Sequence, residues 1–283
     1  WVDPKNPASG VRILGVLARI AICYFFASVI IYYAKPRTAF FIGALLLLFY
    51  WVLCFTLGDK TDPYSITGWF GNKVDMAILH EPHIYHGERV NGVPYPFDPE
   101  GIMSTMSAIV QVIFGYLTGD YIQKKGKNFE MLSGLFVAGV ALLITGFCWD
   151  MVFPINKKIW TSSYTVYTTG LAIITIATMI YLIEFKNIKG GLARFFDVFG
   201  KNALFVFALS AFIPKGLALI RIPYHGAKGA LLYTNPWNAL YQRVLIHIPG
   251  DPRIGSLLFA ISVILFMWFI CWWMDKKKIY IKV

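Results

Sequence analysis

Charge is scarce in this sequence. Asp, Glu, Lys and Arg make up 14% of 283 residues, whereas soluble domains carry about 25%. That deficit, with 57% apolar residues in its place, excludes an ordinary soluble domain. Cysteine is also sparse: Cys23, Cys54, Cys148 and Cys271 each stand alone, within or at the end of an apolar run. Their spacing excludes a cysteine metal site and a disulfide framework. No internal repeat, heptad or low-complexity tract is present, so a repeat architecture is excluded. Initiator Met and a signal-peptide pattern are missing. The opening Trp1-Val-Asp-Pro-Lys5 reads as the middle of a loop, as if the gene product were longer. Acid is scarcer than base, and the net charge is +11. A nucleic-acid reading needs a solvated basic face. No soluble domain here carries one, so no nucleic-acid partner is expected.

What is present is length of apolar run. The mean hydropathy is +0.59, and a bilayer core of about 30 Å needs about 20 apolar residues per helix. Seven runs qualify, at about Val11–Ala34, Thr38–Gly58, Ile102–Ile122, Phe129–Trp149, Ser162–Phe185, Asn202–Ile220 and Ile254–Met274. The predicted fold class is all-α: a polytopic membrane protein with residues 1–283 as one transmembrane domain. Pro214 and Lys215 interrupt the sixth run, a break tolerated where neighbouring helices or a cavity satisfy the freed backbone. Short connections on one side hold Lys35, Arg37, Lys124, Lys125, Lys127, Lys186, Lys189, Arg194 and Lys276–Lys278. The positive-inside rule makes that side cytoplasmic. The long loops 59–101 and 221–253 then lie outside, the visible N-terminus is outside and the C-terminus inside. The lipid bilayer is the first expected partner.

Candidate chemistry concentrates in the outer loops. Asp98-Pro-Glu-Gly101 stands immediately before the third span. Pro99 suits a first helical turn, Asp98 an N-cap, and Glu100 the positive end of the helix dipole. Alternatively, Asp98 and Glu100 are a carboxylate pair fixed beside a pocket. His80, His83 and His86 recur every three residues, but Pro82 disfavours one helix through them. They read as loop histidines or as substrate-site groups, and no metal is expected. Asp150 ends a span where an unpaired carboxylate is costly, and Lys157 or Lys158 is its expected partner. Thr161 or Ser162 is the expected cap of the next helix, and Trp160 with its neighbours suits a sugar-binding lip. Arg12 and Arg19 are seven residues apart and project from one face of a helix. Arg12 snorkels outward, while Arg19 must face protein. Ser104, Thr105, Ser107, Gln111 and Lys215 add polarity within spans. They fit a substrate tunnel or interhelical hydrogen bonds equally. Lys201 and Asn202 open the sixth span; they read as a positive-inside flank or as a phosphate site, since a lysine at a helix N-terminus attracts phosphate.

Four segments together resemble a known family. They are Val11-Arg-Ile-Leu-Gly-Val-Leu-Ala-Arg-Ile20, Phe97-Asp-Pro-Glu-Gly-Ile102 with Asp75 and His80/His83 upstream, Asn156-Lys-Lys-Ile-Trp-Thr-Ser-Ser-Tyr164, and the tail Asp275–Val283. In this order they are similar to the heparan-α-glucosaminide N-acetyltransferases and their bacterial transmembrane acyltransferase relatives. The resemblance implies a bundle of about ten or eleven helices, each about 20 residues long, of which this chain is the later part. It implies transfer of an acetyl group from cytoplasmic acetyl-CoA, a co-substrate, to an amino sugar or glycan on the other side. It suggests a bacterial inner membrane and allows a homodimer. Arg12, Arg19, Asp75, His80, His83, Asp98 and Glu100 would line or brace the site. Asn156, Trp160, Ser162 and Ser163 would shape its mouth, and Lys201 and Asn202 would meet the CoA phosphates. The family's proposed catalytic histidine falls before the region matching Trp1, so no residue here inherits that role. The alternatives are an amino-sugar transporter and a non-catalytic membrane subunit of a larger assembly.

Overall fold

The computed structural model describes residues 10–225, 231–248 and 251–281. The loop reading of Trp1–Lys5 and the last two residues of the tail lie outside the described residues. Six helices are long and apolar enough to cross a membrane, and a bent pair would make a seventh. The protein is an all-α polytopic membrane protein with two small antiparallel hairpins. The chain divides into two compact units, Trp1–Phe185 and Lys186–Val283.

The first unit contains α1 (Val16–Tyr33), α2 (Pro36–Leu57), α3 (Phe70–Leu79), β1 (Glu88–Val90), β2 (Val93–Tyr95), α4 (Ile102–Lys125), α5 (Phe129–Asp150) and α6 (Ser162–Ile180). A π-helical turn, Tyr181–Phe185, continues α6. Apolar side chains from four helices meet in one core: Ala27 of α1, Leu47 of α2, Val110 and Ile113 of α4, and Val166 of α6. Large apolar residues such as Phe25, Leu45, Phe55, Val137 and Phe147 point outward, as spans do when lipid replaces water. Helices α5 and α6 approach backbone to backbone. A Cβ on Gly170 would stand 2.7 Å from both Gly139 O and Leu143 N, and one on Gly146 would meet Tyr167 N at 2.6 Å. Only glycine fits at such a crossing.

In the first unit, helix starts follow local chemistry in two places. Asn128 accepts from Met131 N and caps α5. Thr161, one of the two expected caps, accepts from Tyr164 N and caps α6. The polar residues of α4 hold helices together: Ser107 and Thr165 hydroxyls lie 2.8 Å apart, and Gln111 Nε2 donates to Thr168 Oγ1 at 3.2 Å. Thr105 Oγ1 returns to Gly101 O.

Two span expectations need correction. The first span starts at Val16, not Val11. Ile13 N donates to His83 O, and residues 10–15 are not helical. Arg12 therefore does not share a helix face with Arg19. The sixth span breaks at 201–202, not at Pro214. Helix α7 (Gly191–Gly200) and α8 (Ala203–Ala218) belong to the second unit, and α8 runs through Pro214. The helical segments on either side of the break meet at 79°. The second unit continues with β3 (Ile222–His225), β4 (Leu231–Thr234), α9 (Pro236–Arg243) and α10 (Pro252–Lys276). Asp251 caps α10 by accepting from Arg253 N.

Candidate functional site

Polar side chains gather at the end of the first unit that carries loop 59–101. The gathering begins with Asp98, which is fully buried. Its Oδ1 accepts from Glu100 N at 3.0 Å, a local turn bond. Arg12 then closes on it with two bonds, Nε to Oδ2 at 2.9 Å and NH2 to Oδ1 at 2.5 Å. The same NH2 also reaches Glu100 Oε2. The guanidinium carbon lies 4.7 Å from the centre of the Tyr85 ring. Burial alone would lower the Arg12 pKa, but its bonds to Asp98 and Glu100 and their charges reverse that, leaving it raised. A forked, partly buried pair of this kind is stronger than a surface ion pair.

With both oxygens engaged, Asp98 does not cap α4, contrary to expectation. The helix begins three residues later than the Pro99 reading requires, at Ile102, with Gly101 as the N-cap residue. Asp75 supplies the acceptor: its Oδ1 takes the Ile102 amide at 2.9 Å from 27 residues away. Helix α3 makes this reach possible, because it buries Phe70, Gly71, Asn72, Asp75 and Leu79. The other oxygen, Oδ2, is buried and has no hydrogen-bond partner among the described residues. Burial pushes the Asp75 carboxyl up to about 7; the Ile102 amide opposes the rise and the Asp98 charge adds to it. Gly101 is required at this contact, since a Cβ there would overlap Asp75 Oδ2.

Arg19 enters from α1. It is 5% exposed, and it is held by carbonyls: NH1 donates to Pro99 O and NH2 to Ser104 O, both at 2.9 Å. Its guanidinium carbon sits 4.2 Å from the centre of the Trp160 ring. Trp160 adopts φ +51°, which a bulky residue rarely does without local strain. Arg19 Nε and Trp160 Nε1 are both buried without a partner among the described residues.

The structure therefore brings together Arg12, Arg19, Asp75, Asp98, Glu100 and Trp160. It sets the other candidates to different work. Leu79 ends α3, His80 follows with φ +62°, and Pro82 lies in a single turn beyond it, so the three histidines share no helix face. His83 Nδ1 bonds Val11 O at 2.7 Å, and His86 Nε2 lies 3.9 Å from Glu81. Among the described residues no cluster of three His, Cys, Asp or Glu could hold a metal. Asn156 Nδ2 donates to Tyr64 O, Ser162 Oγ to Leu47 O, and Ser163 Oγ to Thr161 Oγ1. The first two tie the 153–161 connection and the start of α6 to Tyr64 and to α2, and the third is local. Asp150 accepts from Ile155 N within its own loop, so it needs no lysine; Lys158 pairs with Glu88 at 2.6 Å instead. Neither Tyr85 nor the capping role of Asp75 has a local sequence signal, since both are fixed by contacts between distant segments.

Over 162 residues the chain is 24% identical to the heparan-alpha-glucosaminide N-acetyltransferase of Homo sapiens, covering 53% of this chain and 24% of that protein. The enzyme of the same name from Mus musculus is 23% identical over 161 residues, with the same coverage. The chain is a distant relative of the heparan-alpha-glucosaminide N-acetyltransferases. It spans about a quarter of the length of these relatives. No family model matches it.

Lys201 and Asn202, the residues expected at CoA phosphates, lie in the second unit. Lys201 Nζ lies 2.7 Å from Asp197 and 3.1 Å from Asp275, so two carboxylates already neutralise it. Asn202 is buried and holds the tail, donating to Ile279 O and accepting from Ile281 N. Such a site does not favour an added anion. A cavity of about 290 Å³ in the first unit is lined by Phe40, Phe114, Tyr121, Gly134, Leu135 and Ile173 among others. It is apolar, and none of the candidate residues lines it.

Proposed function

We propose that this chain is part of a membrane-bound acyltransferase that moves an acetyl group from cytoplasmic acetyl-CoA to an amino sugar or glycan across the bilayer. The observation that carries the reading is the junction of motif segments. Val11–Ile20 and Phe97–Ile102, two of the four segments resembling the N-acetyltransferases, meet through direct bonds from Arg12 and Arg19. The third segment contributes Trp160 to the same place. The distribution of Lys and Arg supports an outward-facing site, an outer visible N-terminus and a cytoplasmic C-terminus; a bacterial inner membrane is proposed from the resemblance to bacterial acyltransferases alone.

Acetyl transfer to an amine needs a neutral amine, a group to take its proton, and donors for the oxygen that becomes negative. Burial pushes Asp75 up to about 7, so both its protonated and its ionised forms are available near neutral pH, the range that suits acid–base work. Arg12 locks Asp98 and Glu100 in one arrangement, which fixes the entrance to α4 beside Asp75. Arg19 and Trp160 are donors. His80 and His83 stay at the rim of the site, and the family's histidine is to be sought in the remainder of the protein. The test is acetylation of glucosamine by the full-length protein in membranes supplied with acetyl-CoA. Acetylated product that depends on acetyl-CoA supports the reading. Absence of turnover, with CoA also unbound, overturns it.

A further inference from the structure

Buried N–H groups without acceptors are costly in a folded protein. Among the described residues, Arg19 Nε and Trp160 Nε1 are two such groups on adjoining side chains, 4.2 Å from guanidinium carbon to ring centre. The rest of the Arg19 head is engaged by Pro99 O and Ser104 O. The Cys23 thiol is also beside Arg19, but sulfur is a weak acceptor. Both unmet groups are donors, so their missing partner is an oxygen that accepts.

The surrounding charges narrow what kind of oxygen this is. Arg12 faces Asp98 and Glu100 together. The extra negative charge of that trio offsets Arg19, and Asp75 is the neutral acid over much of the range below pH 7. The pocket of charge is therefore balanced before anything binds. A full anion would upset that balance, whereas a carbonyl that gains charge only in passing would not. Trp160 is held in place with its backbone at φ +51°, and its ring sits over the guanidinium rather than in solvent or lipid.

We propose that Arg19 and Trp160 form a two-donor site for the carbonyl oxygen of the acyl group in transfer. This rests on the acyltransferase reading above. As the amine nitrogen bonds to the thioester carbonyl carbon, the C=O π pair moves onto the oxygen, where the two N–H groups meet it. When that pair returns, the C–S bond breaks. Sulfur leaves with the bonding electrons and takes up the proton given by the nitrogen, leaving an amide and a thiol. Arg19 stabilises the transient charge, and Trp160 adds a second donor and keeps its ring against the guanidinium.

The substitution Trp160→Phe keeps an aromatic ring over Arg19 and deletes one donor. Full-length protein in membranes is assayed with acetyl-CoA and glucosamine. Loss of one such donor lowers kcat by about 100-fold, and KM for glucosamine stays within about threefold because the donors face the acyl oxygen and not the amine. Arg19→Lys, which keeps the charge and deletes Nε–H, also lowers kcat. A turnover-free measurement compares acetyl-CoA with CoA by calorimetry in detergent. The unsubstituted protein prefers acetyl-CoA, and Trp160→Phe loses the preference. A Trp160→Phe protein with unchanged kcat, or with only KM raised, overturns this inference and leaves the acyltransferase reading standing. If the unsubstituted protein transfers no acetyl group, the acyltransferase reading falls and this inference with it.

Discussion

Asp75 makes stability depend on pH in an unusual direction. Its carboxyl titrates at about 7 in the folded protein, against an ordinary value of 3.8. Between those values the folded state holds a proton that the unfolded state has released, so stability falls as pH rises. Above about pH 7 the full cost of burying the carboxylate is present. The whole displacement, about three pH units at 1.36 kcal/mol each, is worth about 4 kcal/mol. From pH 5.5 to pH 8 the portion lost is about 2 kcal/mol. Asp75→Asn removes the titration while leaving an oxygen to accept the Ile102 amide. Thermal unfolding in detergent, followed by tryptophan fluorescence, is measured for both proteins at the two pH values. The difference between them isolates Asp75 from every other titrating group. The Asp75→Asn protein, close to the unsubstituted one at pH 5.5, becomes the more stable at pH 8 by a few degrees. Parallel pH profiles, or an Asp75→Asn protein that loses ground to the unsubstituted one as pH rises, would show that no buried proton is held at Asp75.

Three further outcomes follow from the same geometry. Gly101→Ala places a methyl on Asp75 Oδ2, and lost capping plus overpacking costs about 2–4 kcal/mol, read as a lower unfolding midpoint. Arg12→Gln strands the buried Asp98 and costs about 3 kcal/mol, toward the low end for a broken buried pair because Arg12 is partly open to solvent. Arg12→Lys keeps the charge but loses the forked bond, so its unfolding midpoint falls between those of Arg12→Gln and the unsubstituted protein. Gly170→Ala pushes a methyl into the α5 backbone and destabilises by about 1–3 kcal/mol, seen as a shorter half-life of monodisperse protein in detergent.

The spans are legible in the sequence because bilayer thickness demands long apolar runs, whatever the tertiary structure. Thr161 is legible as a cap because its bond stays within its own helix. Asp98 misleads for the opposite reason. Its position before Pro99 suits capping, but Arg12, 86 residues away, claims its oxygens. Asp75 then takes the capping role across 27 residues. No local pattern announces either exchange. The break in the sixth run is hidden in the same way: Pro214 is the stronger sequence signal, yet the chain bends at Lys201 and Asn202, where Asn202 holds the tail. Polarity beside an apolar run shows that a residue matters without telling whether it meets a ligand or a neighbour. Ser162 and Asn156 meet neighbours; among the described residues Arg19 and Trp160 have donors still unmet.

Transfer across the membrane is tested most directly by sidedness. Sealed vesicles of known orientation containing the full-length protein receive labelled acetyl-CoA on the cytoplasmic face and glucosamine on the opposite face. Transmembrane transfer yields labelled N-acetylglucosamine on the glucosamine side, with the acetyl-CoA still confined to its own. Label transferred only when donor and acceptor share one face would contradict it, as would glucosamine crossing unmodified without acetyl-CoA.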